Sequence, residues 1–233
     1  MDEQTAREAL ARCTAYKLLS AVFRFPTEEA CTPVASGRLG RALRGALEVE
    51  GGALPTGLAE ALAAMEGVMA GLSIDELQGQ YIEAFDVGLP RPPCPPNEGL
   101  YIDGVPRQRL LLKLATVYRL FGLKVDQEAE AAQLADHLAV ELEFLHFLAF
   151  KELQAAEEGD GEHWAGYRHA RRDFLVHHPA RWLESFAQRT AEKAGPAMAA
   201  LATVAAGLVR EDLDRAQADA ALAPDAGGSE RPG

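Results

Sequence analysis

Residues 81–101 read Tyr81-Ile-Glu-Ala-Phe85-Asp-Val-Gly-Leu-Pro90-Arg-Pro-Pro-Cys-Pro-Pro96-Asn-Glu98-Gly-Leu-Tyr101. Five of the chain's 13 prolines fall between Pro90 and Pro96. They hold the backbone extended, keep it out of any helix and leave few amide donors. Helical patterns stand on both sides. Upstream, Ser73-Ile-Asp-Glu76 fits a capping box, in which serine and glutamate satisfy each other's free amides, and the helix it opens carries Leu77, Tyr81, Ala84 and Phe85 on one side. Downstream, Leu110, Leu111, Leu114, Val117, Tyr118 and Phe121 form an amphipathic stripe that Gly122 can close as a left-handed cap. The stretch is therefore a stiff connection between helices, either a rigid linker and nothing more or a mount that fixes Glu98 and Tyr101 beside a groove.

Working outward, every segment repeats one period. Between Thr5 and Phe23, Ala6, Ala9, Leu10, Cys13, Tyr16, Leu19, Val22 and Phe23 recur at helical spacing, and Pro26 stops the run. Residues 33–47 have Leu39, Leu43 and Leu47, but Gly37, Gly40 and Gly45 weaken the helix they suggest. A linker at 50–55 leads to Leu58, Leu62, Met65, Met69 and Leu72, the next helical face. Near the carboxyl end, Glu157 to Gly161 read as a turn before a helix with Trp164, Tyr167, Phe174 and Leu175. Pro179 breaks the chain ahead of Trp182, Leu183 and Phe186, and Pro196 starts a last helix with Leu201, Val204, Leu208 and Leu213 inward. With no alternating strand run, repeat or phosphate-binding glycine loop, the expected fold is all-α, a bundle of roughly nine to eleven helices in one domain over residues 1–223. Residues 224–233, rich in Gly, Ser, Asp and Pro, are expected to be disordered.

The segment Leu134–Leu153 is apolar on two sides: Leu134, Leu138, Leu142, Leu145 and Ala149 on one, and Phe144, Phe147 and Phe150 on the other. A helix of that kind is normally central. Its charges then need partners, because a buried carboxylate must be paired or hydrogen-bonded. Asp136 and Glu143 lie on the phenylalanine side, and His137 and Glu141 form an i, i+4 pair. Two interpretations are open: an aspartate cap with solvated glutamates, or contacts to a partner.

The acidic balance, a net charge of −12, argues against nucleic acid and anionic membranes, which need a positive footprint, and favours basic peptides. Cys13, Cys31 and Cys94 form no metal or redox motif and read as free thiols of a reducing compartment. The acidic start, Met-Asp-Glu-Gln, has no secretory character, and the longest apolar run, Ala197 to Val209, falls short of the roughly 20 residues that cross a bilayer. A cytoplasmic location is expected. Glu143-Phe-Leu-His146 matches half of a di-iron helix motif, yet no second copy exists, and the adjacent His177 and His178 diverge by about 100° on a helix. No metal, cofactor or catalytic nucleophile is expected. Trp164, Tyr167 and Trp182 read as core.

Three segments carry a family resemblance. Tyr81 and Phe85 followed by the proline turn and Pro-Pro-Asn-Glu-Gly-Leu-Tyr101 resemble the signature of the TorD/NarJ-type chaperones of molybdenum oxidoreductases. Asp136-His-Leu-Ala-Val-Glu141-Leu-Glu143-Phe is similar to a second motif of that family. Phe174-Leu-Val-His177-His-Pro-Ala-Arg-Trp182 is similar to a third, departing at Pro179 where the family often has leucine. Together they span roughly residues 75–190, and the Asn-Glu-Gly loop looks closest to the subgroup serving type II enzymes of the dimethyl sulfoxide reductase family. The resemblance implies a non-enzymatic, cytoplasmic chaperone that binds the apo catalytic subunit or its twin-arginine leader and assists molybdopterin cofactor insertion before export. Partner-binding residues implied on this basis are Tyr81, Phe85, Glu98, Tyr101, Asp136, His137, Glu141 and Glu143. Phe85 and Tyr101 would form an apolar wall, the carboxylates would meet arginines at the rim, and Asp136-His137 would act as a hinge or cofactor-side contact. A monomer or a domain-swapped dimer is compatible with this reading. The alternative is a helical small-molecule or haem-binding protein using His137 or His146.

Overall fold

The computed structural model describes residues 3–24, 27–48, 54–123 and 133–222. Ten α-helices run through them: α1 Glu3–Val22, α2 Glu28–Ala35, α3 Arg38–Glu48, α4 Thr56–Met69, α5 Ile74–Tyr81, α6 Arg107–Leu120, α7 Leu138–Glu158, α8 Gly161–His177, α9 Leu183–Lys193 and α10 Pro196–Leu222. A wider helical turn, Ile82–Asp86, prolongs α5, and tight turns cover Glu98–Leu100 and Pro179–Arg181. Strand-like pairing among the described residues is limited to one isolated bridge, so the fold is all-α. The expected stop at Pro26, most of the linker at 50–55 and the tail from Pro224 lie outside the described residues.

Helix α7 is the central strut, with α1 packed along one side and α8 on another, while α10 covers α4 and α9. Leu138, Leu142, Leu145 and Leu148 are fully buried, and they join Leu19, Leu62, Leu114, Leu175 and Phe186 in one continuous core. Each such side chain contributes about 1.5–3 kcal/mol by leaving water. No single helix among the described residues is long and apolar enough to cross a membrane.

Local signals acted as read at Ser73, whose hydroxyl accepts from the Glu76 amide while the Glu76 carboxylate accepts from the Ser73 amide at 2.8 Å. Gly122 takes φ +77°, the left-handed conformation that ends α6 without a Cβ clash. Several expectations need correction. Residues 33–47 belong to two helices, α2 and α3, separated by a turn at Gly37. Helix α7 begins at Leu138 rather than Leu134, because His137 caps it, and it runs on to Glu158. Leu134 therefore sits outside the helix, 48% exposed, and Phe150 faces outward at the far end of a phenylalanine side that is buried only at Phe144. Leu10 also points outward, since the face of α1 that packs on α7 is built from small residues, Ala11, Ala15 and Cys13, with Tyr16 and Leu19.

A charged network unforeseen in the sequence ties four helices together. Arg171 of α8, 2% exposed, donates through Nε to Glu152 of α7 at 2.5 Å and also pairs with Asp212 of α10. Tyr16 of α1 donates to the other Asp212 oxygen at 2.6 Å, and Arg12 reaches Glu152 at 3.4 Å. Burial alone would raise the Asp212 carboxyl, but Arg171 and Arg12 outweigh it and hold the group below the ordinary carboxylate range.

Candidate functional site

The proline loop is latched to the helices around it. Cys94 N–H donates to the Ala84 carbonyl at 2.8 Å, and Arg189 of α9 donates to the Pro93 carbonyl at 2.5 Å. The Leu89–Pro90 peptide is cis. At the loop's exit, Glu98 N–H bonds to the Asp136 carbonyl and Leu138 N–H to the Pro96 carbonyl, both at 2.9 Å, so that Asn97 and His137 pair like two strands. This exchange satisfies two backbone donors that the proline run and the start of α7 would otherwise leave open.

Asp136 is the centre of the latch. Its side chain is fully buried and accepts Arg107 Nε at 2.8 Å and Nη2 at 3.1 Å, Asn97 Nδ2 at 3.0 Å and Gly99 N–H at 3.3 Å. A Cβ on Gly99 would stand 2.7 Å from the Arg107 side chain and 3.0 Å from the Asp136 carboxylate, so only glycine lets the loop approach this closely. His137 turns its Nδ1 onto the Ala139 amide at 3.1 Å as the N-cap of α7. Burial pushes that imidazole down to about 4, which keeps it neutral as an acceptor.

Beneath the latch lies an acid pair. Glu98 and Glu141 are both fully buried. Glu98 takes the Nδ1 of His178 at 3.0 Å, and Glu141 Oε2 accepts Trp182 Nε1 at 3.1 Å. Glu141 Oε1 meets no N–H donor among the described residues. Burial, with Glu98 alongside, pushes the Glu141 carboxyl well above the ordinary range. Aromatic rings enclose the pair's flank: Tyr101 lies 5.4 Å from Trp182 and 5.9 Å from Phe186, and Phe85 lies 5.7 Å from Phe186 and 5.1 Å from Tyr81. The Tyr101 hydroxyl is buried without a hydrogen-bond partner among the described residues.

Seven of the eight residues singled out in the sequence thus come together around one loop, and Glu143 stands apart. Their positions differ from those expected. Glu98, Asp136 and Glu141 lie in the interior rather than at a groove rim, because the latch folds over them and each already holds an internal partner. Asp136 is neither a helix cap nor solvated, and His137 and Glu141 do not pair through their side chains. Glu143 is exposed and bonded to Arg24 at 2.5 Å. Arg107, Asn97 and His178 were missed. His178 could have been noticed as the last residue before a helix-breaking proline, four positions ahead of a buried tryptophan. His146, the other histidine of the haem-binding alternative, lies 2.9 Å from the Cys13 carbonyl.

The site is thus a proline loop bonded to the helices around it, with its acidic side chains held by internal partners. The description "Nitrate reductase delta subunit" belongs to a family model that matches residues 52–188, a span that contains the latch, the acid pair and Trp182. A perchlorate reductase assembly chaperone protein of Dechloromonas aromatica (strain RCB) is 35% identical over 178 residues, 76% of each chain. A selenate reductase assembly chaperone protein of Thauera selenatis is 33% identical, and a chlorate reductase assembly chaperone protein of Ideonella dechloratans 34%, each over 119 residues, 51% of this chain and 59% of theirs. A crystal structure from Archaeoglobus fulgidus, described as a redox enzyme maturation protein, aligns over 88% of this chain and 93% of its own, with 22% identity and a TM-score of 0.45. The chain belongs to the nitrate reductase delta subunit family, the TorD/NarJ type of assembly chaperone, and is not an enzyme.

Proposed function

We propose that the protein is the dedicated cytoplasmic chaperone of one molybdenum oxidoreductase. It binds the apo catalytic subunit or its twin-arginine leader, keeps it open for molybdopterin cofactor insertion and withholds it from export until loaded. The observation that carries this is the 35% identity to the perchlorate reductase assembly chaperone across three-quarters of both chains. The relatives named for perchlorate, selenate and chlorate reductases support an oxyanion-reducing enzyme as the partner class.

The buried latch gives this role a physical form. Tyr81, Phe85, Tyr101 and the buried acids hold the loop as a rigid platform, and its outer edge presents Val87, 60% exposed, and Leu89, fully exposed, to a partner. Preorganisation of that kind lowers the entropy lost on binding. Glu143 is the carboxylate of the set that an incoming arginine can reach, by displacing Arg24. The test is a strain lacking this gene. The catalytic subunit should be made but accumulate without molybdenum or be degraded, and the wild-type gene should restore it. Normal molybdenum content and activity in the deletion strain, with no substitute chaperone, would refute the assignment.

A further inference from the structure

The chain is acidic, with 35 Asp and Glu against 23 Lys and Arg, and its arginines are mostly closed on carboxylates. Arg12, Arg24, Arg44, Arg107, Arg168 and Arg171 all make ion pairs. Arg109, Lys113 and Arg181 differ. All three are exposed, none makes an ion pair among the described residues, and all three line one cleft of about 350 Å³. Arg109 and Lys113 are four apart on α6 and so project from the same face, where like charges repel. Arg181 and His177 come from the opposite wall, at the end of α8 and the turn after it, with buried His178 between them in sequence. Glu98, which holds His178, is fully buried and does not line the cleft.

The cleft also takes in the start of α6. Pro106 is its N-cap and makes no side-chain capping bond, and the first turn carries no acidic residue. The positive end of a 14-residue helix is therefore left uncompensated beside three unpaired cations. Val105, Pro106 and Leu110 give the same cleft an apolar wall. Its volume matches the head of a small molecule rather than a protein surface. In a protein of net charge −12, concentrating positive charge in one concavity costs stability and gains nothing internally.

We infer that this cleft binds a small phosphate-bearing ligand of the diphosphate class, held by Arg109, Lys113, Arg181, His177 and the start of α6. Two arginines can chelate oxygens in forked geometry while lysine supplies a point charge, and the apolar wall takes the organic part of the ligand. The site is independent of the identity of the partner enzyme.

The probe is inorganic pyrophosphate, titrated calorimetrically into the full chain at two salt concentrations. Saturable binding that weakens as salt rises is expected. Arg109→Gln with Arg181→Gln should weaken it by about tenfold or more, and Lys113→Gln alone by a smaller factor, because each removes a charge-assisted contact. Arg38→Gln, an exposed arginine of α3, should leave it unchanged, and unaltered thermal melts would confirm that all variants fold. Absence of binding to the parent, binding indifferent to the Arg109 and Arg181 changes, or binding of oligoglutamate in preference to pyrophosphate would each overturn the inference. The last outcome would identify the cleft as a contact for an acidic protein segment.

Discussion

Replacing Asp136 with asparagine tests the latch at its strongest point. The carboxylate is fully buried and receives four N–H donors, two from Arg107 and one each from Asn97 and Gly99. Asparagine preserves the shape but turns one acceptor oxygen into an NH2 group, which then confronts two of those donors. Breaking a fully buried pair costs about 3–5 kcal/mol. Arg107 is 33% exposed, so water can solvate part of the stranded guanidinium, and the expected loss falls to about 2–3 kcal/mol. Asp136→Ala, which also leaves a void, should cost about 3–4 kcal/mol. Guanidinium unfolding followed by tryptophan fluorescence is suitable, since Trp182 lies beside the acid pair. A cycle with Arg107→Met should give a coupling energy of about 1–2 kcal/mol. If Asp136→Asn unfolds within about 0.5 kcal/mol of the parent and the two changes simply add, the latch is not what holds the loop.

Two further expectations concern pH. Glu141 has a folded-state pKa raised above the 4.5 of an unperturbed glutamate, first by burial and then by Glu98, so its contribution is complete below that value and is lost as pH rises toward the folded pKa. Glu141→Gln mimics the neutral form and should be within about 1 kcal/mol of the parent near pH 5. It should gain on the parent by pH 8; equal urea midpoints at both pH values would contradict the raised pKa. His137 behaves oppositely: its pKa falls from 6.5 to about 4, so its contribution is present above 6.5 and is lost as pH falls toward 4. His137→Asn retains an N-cap and removes the titration, so it should flatten the stability curve in that window, whereas His137→Ala should cost about 1 kcal/mol at neutral pH. An unchanged pH profile in the asparagine variant would exclude His137 as its source.

Helices were legible because each carries its own stripe, and the Ser73–Glu76 box and the Gly122 cap were legible because their partners lie within a turn. The site was legible as a set of residues but not as a geometry. Asp136 meets Arg107 across 29 positions, Glu141 meets Trp182 across 41 and Glu98 meets His178 across 80, and no local period encodes such pairings. Periodicity assigns a residue to a face of its helix, yet it does not say whether a loop covers that face. Glu141 and Glu143 illustrate this: two positions apart, one is fully buried against Trp182 and the other lies in solvent on Arg24. Arg171 was hidden for a related reason, since Arg168 and Arg172 make its helix look uniformly basic. Only the placement of α7 and α10 shows that Arg171 points inward.

The network around Asp212 also sets a clock on biosynthesis. Tyr16 and Asp212 are separated by 196 positions, which at 5–20 residues per second means a delay of about 10–40 s between the two leaving the ribosome. Throughout that interval Arg12 can meet Glu152 of α7, but Tyr16 lacks its acidic partner on α10. Docked early on α7, α1 would place the Tyr16 hydroxyl in an interior that does not yet hold Asp212. The bond from α1 to α10 therefore forms only after α10 has been made, later than the packing of α1 on α7 can begin.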